Sequence, residues 1–182
     1  MPETTNPKVL SVETAYQGKL FDVHIATLRM PDGAEVTRET LIHPGAVCAL
    51  PVGDDGKIYF VTQYRHAAHA RILELPAGTL EPGEEPREAM LRELQEEIGM
   101  LPGEVEPLGG FYVAPGYTSE YIHLFLCRVL SPSQLPPDPD EDLEVVKLSL
   151  KDALAAVEEG RIKDAKTLIG LLAWARRVAT EK

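Results

Sequence analysis

The hydrophobic and polar positions of the first 45 residues alternate in a way that predicts β-strands. The segment FDVHIATLRM alternates apolar and polar side chains, and Pro31, Asp32 and Gly33 then supply a turn. EVTRETLI resumes the strand pattern after that turn. The beginning of the chain therefore predicts a β-hairpin or a meander.

The next part of the chain contains two strongly apolar segments on either side of a turn. AVCALPV is a continuous apolar run, GDDGK is typical of a turn, and KIYFVTQY predicts a second strand. We therefore expect these two segments to form a hairpin inside the core sheet. Further strands are predicted at 107–113, 121–130 and 143–149.

Two helices are predicted at the end of the chain, near 151–159 and over about 163–179. The second one repeats apolar residues at helical spacing, namely Leu168, Leu171, Leu172, Ala175 and Val178. Together with the strands, these patterns indicate an α+β fold in which helices pack on a mixed β-sheet.

Residues 78–100, GTLEPGEEPREAMLRELQEEIGM, predict a helix with one acidic side. Pro86 suits the first helical turn and Gly99 is a natural stop, so a helix of about 13 residues is expected. At about 100° per residue, one stripe of this helix is apolar and the roughly opposite side carries three carboxylates. The apolar stripe is formed by Leu91, Leu94 and Ile98, and the acidic side by Glu93, Glu96 and Glu97.

The acidic side of this helix is unfavourable for the isolated protein. Glu93 and Glu97 are an i,i+4 pair of like charges, which costs roughly 0.2 to 0.5 kcal/mol. Arg92 can pair with Glu88 and Glu96, but we expect it to leave the Glu93/Glu97 pair uncompensated. A hard divalent cation such as Mg²⁺ would remove the repulsion. The alternative is an acidic helix face that is simply solvated.

The length and composition of the chain predict a single domain over residues 1–182. Its 44% hydrophobic content is enough for one sizeable core. We expect N-terminal strands at 1–44, the core at 45–150 and C-terminal helices at 151–182. Apolar runs fall short of the ~18 residues of a membrane span, and the N-terminus lacks the apolar stretch of a signal peptide. We therefore expect a cytoplasmic protein with two buried free thiols, Cys48 and Cys127.

The formal net charge of -11 narrows the range of partners. Such a charge repels phosphates at long range and argues against binding to nucleic acid or to an anionic membrane. A substrate that contains phosphate would therefore require a metal ion or locally placed arginines.

The acidic helix lies in a segment that resembles the Nudix box, G-x5-E-x7-R-E-U-x-E-E-x-G-U, where U is an aliphatic residue. The chain has a matching residue at each fixed position of this pattern: Gly78, Glu84, Arg92, Glu93, Leu94, Glu96, Glu97, Gly99 and Met100. A match with fixed gaps is far more specific than a lone short motif. We therefore interpret the acidic face as a metal site.

The segments around the box resemble the ADP-ribose pyrophosphatase branch of the Nudix family. These segments are QYR, ELPAG, APGYTSE and DAKTLIGLLAW, and Pro115 stands 15 residues after Met100. The resemblance implies a Nudix-type α/β/α sandwich with a mixed β-sheet and an additional N-terminal strand block. It also implies metal-dependent hydrolysis of the pyrophosphate of ADP-ribose to AMP and ribose 5-phosphate.

The resemblance implies a metal site for Mg²⁺, with Mn²⁺ as a possible substitute. Its ligands would be Glu93, Glu97, the backbone carbonyl of Ala77 and, as a further ligand or bridge, Glu96. Glu84 would support the metal or its bound waters, and Arg92 would hold the glutamates in place.

The substrate-binding residues implied by the resemblance are Arg65 of QYR, Arg38 on an N-terminal strand, and Pro115, Gly116 and Glu120 of APGYTSE. Guanidinium groups can bind phosphate with two hydrogen bonds, and this attraction would offset the repulsion between the negatively charged protein and a phosphate. For Arg38 a surface salt bridge is an equally good explanation. Similar enzymes are commonly homodimers whose N-terminal strands help to build the partner's pocket, so we expect a homodimer.

A general base must take a proton from the attacking water, and in similar enzymes it comes from a loop well after the box. That loop corresponds here to PDPDEDLEV, where Glu141 is the first candidate and Glu144 the second. A merely solvated acidic loop is the alternative.

Three other functions are compatible with the sequence. One is hydrolysis of another nucleotide sugar, such as a GDP-mannose-like compound, and another is hydrolysis of oxidised nucleoside triphosphates. The third is a noncatalytic nucleotide-sensing module, against which the intact glutamates and the lack of a basic appended domain argue.

Overall fold

The computed structural model describes residues 6–137 and 142–180. The strands in this part of the chain are β1 (Lys8–Gln17), β2 (Asp22–Arg29), β3 (Glu35–Ile42), β4 (Ala46–Pro51), β5 (Lys57–Arg65), β6 (Ala70–Glu74), β7 (Ala77–Thr79), β8 (Met100–Tyr112), β9 (Tyr121–Pro132) and β10 (Glu144–Ser149). The helices are α1 (Pro86–Glu97), α2 (Leu150–Glu158) and α3 (Ala165–Thr180), with a short 3-10 helix at His66–Ala68. The α+β class is therefore confirmed.

The described residues form two compact units, of which the first contains the chain up to Gly45 and the segment Tyr112–Tyr121. Its strands β1, β2 and β3 make an antiparallel sheet in that order. The predicted turn between β2 and β3 is present, with Gly33 at a φ of +88° that a glycine adopts without strain. The predicted strand pair is confirmed, and β1, for which no segment of its own was predicted, lies at the edge and is exposed along its whole length.

The second unit contains Ala46–Phe111 and the chain from Ile122 onwards. It has one sheet in the order β10-β5-β6 and another in the order β7-β4-β9-β8. β4 is antiparallel to β7 and parallel to β9, so the second sheet is mixed as expected.

All six residues of β4 are buried, and the first five contribute alternately to two hydrophobic clusters. Cys48 and Leu50 pack in a cluster that includes residues of α2 and α3. Val47 and Ala49 pack in a second cluster with Met90 and Leu94 of α1, among others. Helices thus cover the strand from both faces, which explains why its sequence is continuously apolar rather than alternating.

The predicted hairpin between β4 and β5 is wrong. The two strands belong to different sheets, and Val52, which follows β4, forms an isolated antiparallel bridge with Ile58 of β5 beside the intervening turn. Both edges of β4 are already paired, one with β7 and the other with β9. The prediction failed because β4 pairs with strands that are distant in sequence.

The remaining elements of the second unit differ from the prediction mainly in their limits. β8 begins at Met100, seven residues before the predicted start at 107, while β9, β10, α2 and α3 lie close to their predicted positions. β6 and β7 were not predicted, since each is five residues or shorter.

Both cysteines are buried free thiols, as predicted. Burial raises the pKa of each, that of Cys127 to about 12. Within 6–137 and 142–180, none of the helices combines the length and the apolar character required to cross a membrane.

Candidate active site

The acidic helix α1 begins at Pro86, as predicted, and ends one residue before Ile98. Gly99 follows with a φ of +66°, so the glycine is required where the chain leaves the helix. Met90 and Leu94 are completely buried and fix the inner face of the helix. The rigid packing of this face determines where the glutamates of the other faces lie.

Glu97 lies deeper than its place on the helical wheel predicted. Its side chain is buried, with 6% of the residue exposed, and its Oε2 accepts a hydrogen bond of 3.0 Å from the backbone N–H of Ala77. A buried carboxylate requires compensating donors or cations, because desolvation of the charge is costly. The last turn of α1 is thereby joined to β7.

Glu93 lies against the residue that follows Ala77. A Cβ added at Gly78 would come within 1.8 Å of Glu93 Oε1, a distance that no real contact permits. The absence of a side chain at Gly78 is therefore what allows the Glu93 carboxylate to approach the backbone of β7. Glu93 and Glu97 thus meet two consecutive residues of the same short strand.

Arg92 joins three carboxylates with one guanidinium group. Its Nε and Nη2 donate to the two oxygens of Glu84 at 3.0 and 3.1 Å. Its Nη1 donates to Glu93 Oε1 at 2.8 Å and to Glu96 Oε2 at 2.9 Å. Hydrogen bonding to Glu84 is the main cause that raises the pKa of Arg92, and the same hydrogen bonds are the main cause that lowers the pKa of Glu84.

The expectation that Arg92 would leave the Glu93/Glu97 pair uncompensated is wrong, because Arg92 contacts Glu93. Neighbouring residues on a helix do not normally face each other, so the contact between Arg92 and Glu93 was not anticipated. The guanidinium group is drawn across the helix by Glu84 and by the carbonyl of Thr79, which accepts from Nη2 at 3.4 Å. Glu88, the other expected partner, instead contacts Arg87 at 3.3 Å.

The residues present fit a divalent metal ion by the chemistry of their oxygen donors and by their placement around Ala77 and Gly78. Carboxylate and carbonyl oxygens are the ligands that hard divalent ions prefer, and Glu93 and Glu97 converge on Ala77 and Gly78. Among the residues that the structure describes, no three acidic, histidine or cysteine side chains form a ready metal cluster. Glu93 and Glu96 are here both turned onto Nη1 of Arg92.

Arg65, predicted to bind substrate, lies at the end of β5 and contacts Glu74. Its Nε and Nη2 donate to the two carboxylate oxygens of Glu74 at 2.7 and 2.9 Å. Glu74 also contacts Lys166 of α3. Burial alone would raise the pKa of Glu74, but Arg65 and Lys166 outweigh it and hold that pKa below its ordinary value. Sequence reasoning missed Glu74 and Lys166, although both lie in the quoted segments ELPAG and DAKTLIGLLAW.

The other predicted substrate residues belong to the first unit. Arg38 is exposed on β3, where its Nη1 donates to the carbonyl of Thr37 at 2.9 Å. Pro115 and Gly116 lie in a turn closed by hydrogen bonds to the carbonyl of Ala114. The backbone N–H of Glu120, after this turn, donates to Thr118 Oγ1 at 3.1 Å.

The two candidates for the general base are Glu141 and Glu144. Glu141 lies outside the described residues. Glu144 is exposed at the first position of β10, opposite Thr62 of β5.

Three comparisons relate the chain to known proteins. A family model described as NUDIX domain matches residues 42–169. The chain is 41% identical over 162 residues to an ADP-ribose pyrophosphatase of Bacillus subtilis (strain 168), covering 88% of both chains. It is 37% identical over 166 residues to a methanol dehydrogenase activator of Bacillus methanolicus, covering 90% of both. A crystal structure of ADP compounds hydrolase superimposes with a TM-score of 0.88 at 25% identity, covering 100% of this chain and 98% of the other.

Proposed function

Because the chain belongs to the NUDIX family, we propose that it is a metal-dependent hydrolase that cleaves the pyrophosphate of ADP-ribose to AMP and ribose 5-phosphate. The observation that carries this proposal is the convergence of Glu93 and Glu97 on Ala77 and Gly78. The choice of ADP-ribose is supported by the 41% identical relative, which is described as an ADP-ribose pyrophosphatase.

The proposed reaction requires charge neutralisation and positioning more than covalent chemistry. A bound divalent ion supplies a Lewis acid for the phosphoryl oxygens and lowers the pKa of a water molecule. Glu93, Glu97 and the carbonyl of Ala77 would hold this ion, with Glu96 as a further ligand. Arg92 orients Glu93 and Glu96 through its Nη1.

Arg65 is the proposed phosphate contact in the second unit. Its hydrogen bonds to Glu74 use Nε and Nη2, and 41% of its side chain remains exposed. Glu74 therefore fixes the guanidinium plane while leaving an exposed part of the side chain for a phosphate oxygen. Such a fixed cation is required in a protein whose net charge is -11.

The proposal also includes a metal ion, a general base and further substrate contacts. We assign Mg²⁺ as the metal, with Mn²⁺ as a substitute, and Glu141 as the general base, with Glu144 as the second choice. Arg38, Pro115, Gly116 and Glu120 would contact the substrate.

A homodimer is supported by the exposed β1, where the apolar side chains of Val9, Val12 and Tyr16 are each more than half exposed. The two free cysteines are compatible with a reducing compartment, and we assign the protein to the cytoplasm.

The test is turnover of ADP-ribose by metal-free protein before and after addition of Mg²⁺, with the products identified by ³¹P NMR. We expect AMP and ribose 5-phosphate with Mg²⁺ and no turnover without it. GDP-mannose is assayed in parallel, and cleavage of that compound alone would refute the substrate assignment. Binding of ADP-ribose without cleavage at any metal concentration would instead identify a sensing module.

A further inference from the structure

A largely buried polar cluster lies at the beginning of α3 and is separate from the carboxylates of α1. We call Asp164, Lys166 and Thr167 the α3 anchor. Thr167 is completely buried and contacts Leu75, which follows β6, while Lys166 is 9% exposed and contacts Glu74, the last residue of β6. A lysine and a threonine at such depth require a reason, because burial of polar groups is costly unless each is fully hydrogen-bonded.

The hydroxyl group of Thr167 is both a hydrogen-bond acceptor and a hydrogen-bond donor. Its Oγ1 accepts a hydrogen bond of 2.8 Å from the backbone N–H of Leu75 and donates one of 2.6 Å to Asp164 Oδ2. The same Oδ2 accepts from the backbone N–H of Thr167 at 3.0 Å, so Asp164 fixes the orientation of the hydroxyl. Leu75 is itself completely buried, and no solvent can replace the threonine as acceptor.

Lys166 holds the residue immediately before Leu75. Its Nζ contacts Glu74, which is 2% exposed, and lies 3.1 Å from Asp164 Oδ1. Glu74 is held from its other side by Arg65. The α3 anchor thus fixes two consecutive residues, Glu74 through its side chain and Leu75 through its backbone.

The segment fixed by the α3 anchor leads directly into the residues that meet the glutamates of α1. The carbonyl of Pro76 accepts from the N–H of Ala49 on β4 at 2.9 Å, and Ala77 then donates to Glu97. The segment is therefore held by α3 at one end and by β4 at the other. With both ends held, the carbonyl of Ala77 has little freedom to move relative to Glu97.

We propose that Thr167 is a positioning residue for the metal site, acting through Leu75 on the placement of Ala77, with Asp164 and Lys166 as its supports. This inference rests on the proposed function in one respect, the role of Ala77 and the glutamates as metal ligands. Outer-sphere partners of metal ligands typically contribute 10- to 100-fold in affinity or activity. Thr167 lies one step further out, because it holds Ala77 through the backbone of Leu75 and Pro76 rather than by a direct hydrogen bond.

The test compares Thr167→Val with Thr167→Ser. Valine has the shape of threonine without the hydroxyl group, whereas serine retains the hydroxyl group. Binding of Mn²⁺ to metal-free protein is measured by electron paramagnetic resonance, without substrate, and hydrogen exchange is followed over residues 74–78. We expect the Kd for Mn²⁺ to rise about 10- to 100-fold in Thr167→Val and to stay within about threefold of the wild type in Thr167→Ser. Exchange over 74–78 should accelerate in Thr167→Val, with α1 unchanged.

An unchanged Kd in folded Thr167→Val, or an equal loss in both variants, would overturn the positioning role. Absence of Mn²⁺ binding in the wild type would overturn the metal site as well, and so distinguishes the two failures. If Thr167→Val does not fold, Asp164→Asn serves in its place, because it retains volume while removing the charge that faces Lys166. The Kd should then rise, and an unaltered Kd in Asp164→Asn would refute the inference.

Discussion

The carboxylate of Glu93 occupies the space in which a Cβ at Gly78 would lie, with Oε1 only 1.8 Å from that position. The requirement for glycine at this position therefore comes from a neighbouring side chain rather than from the backbone conformation, since Gly78 does not have a positive φ. This relation joins the first residue of the sequence motif to one of its glutamates and can be tested directly.

Replacement of Gly78 by alanine should displace Glu93 from β7. A misplacement of about 1 Å in a catalytic group can cost about 100-fold in rate, and we expect a loss of kcat of this order in Gly78→Ala. Gly56→Ala is the control, because its Cβ would meet no atom within 4 Å although its φ is +73°. It should lose about 1 to 2 kcal/mol of stability and retain its kcat. Wild-type kcat in Gly78→Ala would contradict the steric argument.

Replacement of Glu97 by glutamine should greatly reduce turnover while retaining the fold. The glutamine oxygen can still accept from Ala77, but the charge that would bind the metal is removed. We expect a loss of kcat larger than the roughly 10- to 100-fold typical of outer-sphere partners. Glu88→Gln is the matched control on the same helix, because Glu88 is exposed and contacts Arg87. Kinetics at saturating Mg²⁺ and circular dichroism would decide, and equal activity in the two variants would exclude Glu97 as a ligand.

The ionised form of Glu74 should stabilise the fold above its ordinary pKa of 4.5, because Arg65 and Lys166 lower the pKa in the folded protein. The unfolded chain then takes up the proton at a higher pH than the folded chain does. The stabilisation is complete above pH 4.5 and is lost as the pH falls through the lower, folded pKa. Urea unfolding should therefore show that Glu74→Gln is much less stable than the wild type at pH 7, with a smaller difference near pH 3.

The control for this pH dependence is Glu104→Gln, since Glu104 forms a surface pair with Arg128 at 3.2 Å. Surface pairs contribute about 0 to 1 kcal/mol, so its effect should be small throughout. A pH-independent difference between Glu74→Gln and the wild type would show that the ionisation of Glu74 makes no contribution.

The two candidates for the general base are separated by a pair of glutamine variants. We expect Glu141→Gln to lower kcat by about 10²- to 10⁴-fold and to remove the acidic limb of the pH profile. Glu144→Gln should stay within about threefold of the wild type, because Glu144 is exposed at the beginning of β10. The reverse result would transfer the role to Glu144, and full activity in both would leave the base outside this loop.

The sequence predicted those features that depend on local periodicity. The limits of α1 follow from Pro86 and Gly99, and the turn at Gly33 separates two alternating strands. The pairing of β4 was not predictable in this way, because its partners β7 and β9 come from distant parts of the chain.

The candidate site also combines features that local sequence patterns predict with features that depend on contacts distant in sequence. The set of glutamates could be identified from fixed spacing, whereas the contact of Arg92 with Glu93 depends on Glu84 and Thr79, which lie outside the helix. The α3 anchor depends on hydrogen bonds that span 92 residues, such as the one from Leu75 to Thr167. A periodic pattern in the sequence cannot predict a contact between residues so far apart in the chain.

The alternate residues of β4 belong to two different clusters. The packing of this strand should therefore be disturbed more by an insertion or a deletion than by a substitution. Insertion or deletion of one residue would exchange the side chains of the two faces and place Leu50 beneath α1. Substitutions of similar volume should be tolerated, whereas changes of length should be confined to the adjoining turn at Gly53 to Gly56. Natural variants of this protein should therefore keep the number of residues between Ala46 and Pro51 constant.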